Sequence, residues 1–247
     1  MYKKGKIYVV VIGPGKKPDM TYRAYKAMEN SDVIIGYKTY INLIKEYFEN
    51  KELINSPMKK EVDRCQDALN IAMEGKTVSL ISSGDAGVYG MAGIMLEIVD
   101  DSIEVEIISG VTATNAAGSV VGAPIMHDYV TISLSDLLTD WELIKKRLDL
   151  AAQGDFVVSL YNPKSRGRTT QIEEARDIML KHKSKSTVVA IAKNIGRDDE
   201  EYVLTTLEQM LNYDIDMSTI VIIGNSNTFI KNGKMITPRG YKGKYDY

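Results

Sequence analysis

The stretch TVSLISSGDAGVYGMAGIMLEI, residues 77–98, joins two rhythms through a glycine-bearing turn. Thr77–Ile81 is a short apolar run and predicts a strand. Gly87–Val99 spaces its apolar residues as a helix does. A strand-to-helix turn rich in glycine is a common ligand cradle. This one has neither the G-x-G-x-x-G spacing nor the lysine of a phosphate loop. It carries an acid, Asp85, where a phosphate site would avoid one. Asp85 has two readings from position alone. It caps the helix, at about 1 kcal/mol, or it faces a ligand ammonium, hydroxyl or sulfonium group.

Working outward, the same alternation repeats. Strands are predicted at Ile7–Ile12, Val33–Ile35, Val105–Ile108, Tyr129–Ser133, Phe156–Leu160, Thr187–Ala192 and Thr219–Ile223. Several are apolar throughout, the pattern of strands covered on both faces. Helices are predicted at Met20–Met28, Thr39–Phe48, Lys60–Met73, Thr112–Val120, Trp141–Ala152 and Thr170–His182. Thr139-x-x-Glu142 and Thr170-x-x-Glu173 fit capping boxes, and Gly154 fits a helix stop. The order places the chain in the α/β class. Val121-Gly-Ala-Pro-Ile125 punctuates the middle and predicts two α/β domains, 1–122 and 123–247. Short runs at Tyr202–Thr205, Phe229–Lys231 and Lys234–Ile236, with a hairpin signal at Asn232-Gly233, predict a mixed sheet in the second.

Composition narrows the function classes. The 247 residues are 44% apolar, with a formal net charge of −2, so nothing draws the chain as a whole to nucleic acid or an anionic membrane. The single cysteine, Cys65, excludes an internal disulfide, and no spacing suggests a metal site, so a reducing cytoplasm is expected. Lys3, Lys4 and Lys6 before an apolar run mimic a signal peptide, but the run is too short and reads as a first buried strand. No segment approaches the roughly 18 apolar residues of a membrane span.

In open α/β sheets ligands bind beyond the carboxyl ends of strands. The loops expected there are Gly13-Pro-Gly15, Ser82–Asp85, Ser109–Ala113, Leu134–Asp136, Tyr161–Arg168, Lys193–Arg197 and Gly224–Thr228, and all bear polar residues, glycine or proline. Lys164, Arg166 and Arg168 crowd the start of the Thr170 helix, where cations oppose the helix dipole. They are either solvated surface or the partners of an anionic substrate, and Arg197 and Arg239 could join them. His127, beside Asp128, is either an acid–base group or a packing residue at the linker.

These loops resemble the tetrapyrrole methylases, the class III S-adenosylmethionine-dependent methyltransferases, over nearly the whole chain. Gly84-Asp85 followed by Val88-Tyr-Gly90 is similar to the family's GD-x-x-x-YG loop, and Gly110-Val-Thr-Ala113 to its G-x-T-A turn. Ser133–Leu138, Tyr161-Asn-Pro-x-Ser-x-x-Arg168, Asn194-x-Gly-Arg197, Gly224-Asn-Ser226 and Thr237-Pro-Arg-Gly-Tyr241 resemble the branch that methylates C-17 of precorrin-3-type substrates. Asp140 departs from the proline usual there.

The resemblance implies an S-adenosyl-L-methionine cleft between two α/β domains, releasing S-adenosyl-L-homocysteine. Pro14, Ser83, Gly84, Asp85, Val88, Thr112, Ala113, Leu160 and Ile195 would hold the cofactor. Lys164, Arg166, Arg168, Arg197 and Arg239 would hold the carboxylates of a tetrapyrrole substrate. Asp85 and His127 would serve the proton transfers of ring contraction. It further implies a homodimer, and leans to the cobalt-containing route of cobalamin biosynthesis. A sister methylase acting at another precorrin carbon, and a tetrapyrrole-binding protein without catalysis, share these loops.

Overall fold

A computed structural model describes residues 5–57 and 60–246. Lys3 and Lys4 lie outside the described residues. The chain divides into two compact units, Met1–Ala113 and Thr114–Tyr247.

The first unit runs β1 (Lys6–Val11), α1 (Tyr22–Glu29), β2 (Val33–Tyr37), α2 (Lys38–Ile44), β3 (Glu52–Ser56), α3 (Glu61–Met73), β4 (Thr77–Ser82), α4 (Ala92–Ile98) and β5 (Glu104–Ile108). Its sheet has the order β3-β2-β4-β1-β5 and is parallel throughout. The apolar run of β1 explains itself by two-sided burial. Ile7, Val9 and Val11 join a core with Cys65, Ala68, Leu69 and Met95. Val10 turns the other way, to Ala24, Met28, Ile41 and Phe48. The edge strand β3 was not expected, because Glu52-Leu-Ile-Asn-Ser56 is half polar and only half buried.

The second unit contains α5 (Ala113–Val121, starting on the last residue of the first unit), β6 (Gly122–Ala123), β7 (Tyr129–Ser133), α6 (Trp141–Gln153), β8 (Val157–Tyr161), α7 (Gln171–Met179), β9 (Val188–Lys193), β10 (Glu201–Thr206), β11 (Thr219–Ile223), β12 (Phe229–Lys231) and β13 (Lys234–Ile236). The main sheet has the order β10-β9-β11-β8-β7, with only the β7–β8 pair parallel. β12, β13 and β6 form a small second sheet. The Gly-Pro stretch at which the sequence suggests a boundary is therefore pinned within this unit, by pairing of β6 with β13. Asn232 and Gly233 both have positive φ, 52° and 71°, as the hairpin signal requires.

The caps differ from expectation. Asp140, not Thr139, caps α6, and its carboxylate accepts from the Glu142 and Leu143 amides. Its extended backbone leaves it just outside the helix with an acceptor in reach of both amides. Thr170 precedes α7 without a side-chain cap bond. Gly154 ends α6, but the left-handed residue is the next one, Asp155, at φ 52°.

Candidate functional site

In the first unit the sheet order sets β4, β1 and β5 side by side, so their following loops emerge together. Backbone then joins them. The Ile12 amide donates to Ser82 O at 2.9 Å, and the Gly84 amide to Gly13 O at 2.8 Å. Gly13 and Gly84 both sit in the left-handed region, at φ 65° and 76°. Gly110 is required by contact instead, since a Cβ there would meet Gly84 O at 2.5 Å. A Cβ on Gly84 would meet nothing within 4 Å, so this loop presents bare backbone to open space.

Asp85 does not cap the helix, as one of its two readings from position has it. α4 begins only at Ala92, with Met91 as its uncapped N-cap, so Asp85 caps no helix. The expected helix start at Gly87 gives way because Tyr89 turns left-handed, at φ 55°, and the Ala92 amide reaches back to Ala86 O. The Asp85 carboxylate is a staple. One oxygen accepts from the Gly87 amide at 2.9 Å and the other from the Gly110 amide at 3.0 Å. It fastens the turn after β4 to the turn after β5. Pro14, Ser83, Val88 and Thr112 lie half-buried in these same loops, and Ala113, also half-buried, opens α5 directly after them. The carboxyl end of β2, Gly36-Tyr37, runs straight into α2 at Lys38; it shares the edge and was missed from sequence, where the strand was read as ending at Ile35. The signal available was an aromatic–cation pair following an apolar run.

In the second unit β7, β8 and β9 run the same way, because β8 and β9 are both antiparallel to β11. The loops holding Leu134–Asp136, Tyr161–Arg168 and Lys193–Arg197 therefore share one edge. Arg168 braces two of them. Its Nη2 donates to Asn162 O at 2.8 Å and its Nη1 to Ser135 Oγ at 3.4 Å, while Nε is buried without a partner. Ser165 and Arg168 exchange backbone hydrogen bonds, leaving Lys164 half-buried and Arg166 exposed. The dipole conflict expected at this helix start is answered by Glu173 and Glu174 in its first turn. Asn194 and Gly196, both at positive φ, shape the loop of Ile195 and Arg197, all half-buried. Glu200 accepts from the Gly196 amide at 2.8 Å. Lys193 pairs with Asp214 and Asp216. Burial pushes the Asp216 carboxyl up, but hydrogen bonds from Ser218 and Lys193 prevail and hold it at about 2.

Three expected residues fall elsewhere. Leu160 is fully buried within β8, paired on both sides and packed in the core, so it offers no loop surface. His127 is exposed ahead of β7, hence at the opposite sheet edge, where its Nδ1 accepts from the Asp128 amide at 2.8 Å. The Gly224–Thr228 loop follows β11 and lies at that opposite edge too. There Lys183 Nζ, buried, donates to Phe156 O and Gly224 O and pairs with Asp155. Arg239 is exposed two residues beyond Thr237, whose hydroxyl lies 2.8 Å from that of Thr228 in the same loop.

Residues 6–211 match the family described as Tetrapyrrole (Corrin/Porphyrin) Methylases. A Priestia megaterium protein named "Cobalt-factor III methyltransferase" is 52% identical over 98% of this chain, which spans 46% of that protein's length. A Salmonella typhimurium protein named "Probable cobalt-factor III C(17)-methyltransferase" is 48% identical over 94% of this chain and 98% of its own. Among solved structures, the methyltransferase CobJ superposes with a TM-score of 0.89 at 31% identity, over 95% of this chain and 100% of its own.

Proposed function

Since the chain belongs to the tetrapyrrole (corrin/porphyrin) methylases, we propose that it transfers a methyl group from S-adenosylmethionine to C-17 of a cobalt-containing precorrin-3-type tetrapyrrole, with ring contraction, in cobalamin biosynthesis. The position and the cobalt route rest on likeness to the Salmonella typhimurium protein along almost its full length.

The observation that carries the reading is the cradle formed by the turns after β1, β4 and β5. It fits the cofactor. Gly84 leaves space beside the backbone that any side chain would fill. The Ser83–Gly90 turn holds no lysine or arginine, so it suits an uncharged or cationic ligand rather than a pyrophosphate. Bound there, S-adenosylmethionine would supply an activated methyl on a sulfonium, with a neutral thioether as its leaving group. The chain's part is alignment and exclusion of water. Pro14, Ser83, Gly84 and Val88 would line the donor side, Thr112 and Ala113 would complete it, and Asp85 keeps two of the turns at fixed spacing. Lys164, Arg166 and Arg197 supply cations for substrate carboxylates. Arg168 contributes by holding the loop that presents Lys164 and Arg166. The reading includes residence in the cytoplasm and a homodimer.

Titration calorimetry with S-adenosylhomocysteine, followed by turnover of cobalt-factor III, tests this. Binding together with a mass gain of one methyl per turnover supports it. Absence of S-adenosylhomocysteine binding by folded protein overturns it.

A further inference from the structure

Arg64 lies in the first turn of α3 and is only 3% exposed, yet its fork ends on three neutral acceptors. Nε donates to Ser56 Oγ, Nη2 to Pro57 O at 3.0 Å, and Nη1 to Met91 Sδ at 3.2 Å. Among the described residues it makes no ion pair. Its helix neighbour Asp63 pairs with Lys60 instead. Burying a guanidinium without a counter-charge is costly, and an apolar residue of similar volume would pack there at less cost. The fold alone does not call for an arginine here.

The acceptors show what the fork accomplishes. Ser56 ends β3, and Pro57 opens the loop beyond it, at the carboxyl edge of the sheet. Met91 is the residue on which the Ser83–Gly90 turn closes and from which α4 starts. α3 is a 13-residue helix held against the sheet by Cys65, Ala68, Leu69 and Ala72, which makes it a rigid base. Entry to the turn is fixed by backbone, through the Ile12 amide and Ser82 O. The buried Ser82 hydroxyl has no partner, so side-chain restraint there is absent. At the exit, Met91 is tied to α3 by Arg64.

We propose that Arg64 is a positioning residue for methyl transfer, fixing through Met91 the exit of the Ser83–Gly90 turn that holds the methyl donor. This rests on the assignment of that turn to S-adenosylmethionine. The planar fork, which spans three acceptors at set angles, does the positioning, and the charge is incidental to it.

The test compares R64M, R64K and wild type by thermal melting, S-adenosylhomocysteine calorimetry and the KM and kcat for S-adenosylmethionine. R64M keeps the volume and removes the unpaired charge, so it should melt at or above wild type. Its affinity for S-adenosylhomocysteine should fall roughly ten- to hundred-fold as the turn loses its set, with KM rising more than kcat falls. R64K keeps the charge but not the fork, and should bind as poorly as R64M; it also decides the matter if R64M fails to accumulate. An R64M protein that melts lower and binds like wild type makes Arg64 a fold brace and overturns the proposal. R64K binding like wild type while R64M does not also overturns it, because charge then matters and not the fork. Should wild type itself bind no S-adenosylhomocysteine, the assignment of the turn fails first, and that result is distinct from the other two.

Discussion

Two glycines in the cradle do opposite work. Gly110 needs the absence of a side chain for close approach, and Gly84 needs a left-handed backbone beside open space. Gly110→Ala drives a methyl into Gly84 O and should cost about 1–3 kcal/mol of stability. Gly84→Ala should cost only about 1 kcal/mol of backbone strain while its methyl fills the ligand's space. Calorimetry and melting curves should therefore rank the two in opposite order. If Gly84→Ala binds S-adenosylhomocysteine as wild type does, the open space is not the donor site. Asp85→Ala removes the acceptor of two amides, and its binding loss should exceed its melting loss; unchanged affinity with a lower melting temperature would leave Asp85 a structural staple only. The sequence marked Asp85 and its neighbours by their glycine context. It could not show the bond to Gly110, because nothing local links a side chain to an amide 25 residues away. Arg168 hid for the same reason. A cation near a helix start looks available until its acceptors, Asn162 O and Ser135 Oγ, are known.

Apolar runs gave away the strands, since two-sided burial leaves an unbroken signature, and β1 with its split between two cores is the plainest case. Direction left no such trace. β11 is as apolar as β8 but runs against it, so the loop after β11 sits at the far edge although its composition matches the others. β3 was silent because an edge strand can be half polar. At the shared edge of β8 and β9, Arg168→Ala should destabilise by about 1–3 kcal/mol through two lost hydrogen bonds, while the exposed Arg166→Ala should not. Equal melting temperatures for the two would refute the brace. Asp216 adds a pH test. Its folded pKa, about 2, lies below its ordinary value, so its contribution is present above about pH 4 and fades as pH falls toward 2. Wild type should out-melt Asp216→Asn near neutral pH and converge with it in acid. A constant gap across that range would contradict the assignment.

At the scale of the whole molecule, length, near-neutral charge and one cysteine excluded classes without choosing among those left. The family was legible because its turns keep glycine, aspartate and tyrosine at fixed spacing, and residues 6–211 match it. Assembly was not legible, since self-association surfaces carry no spacing rule. Leu137 and Leu138 in the loop after β7 are largely exposed, Leu138 at 92%, and apolar exposure of this kind suits a covered surface. Light scattering should report twice the sequence mass, and the monomer mass at micromolar concentration would refute the homodimer. Methyl transfer to one carbon is read out by turnover of cobalt-factor III with S-adenosylmethionine labelled with ¹³C in its methyl group, followed by carbon NMR of the product. The expected product carries one labelled methyl, bonded to C-17 of a contracted ring. A label on another ring carbon, or none transferred by protein that binds the cofactor, would contradict it.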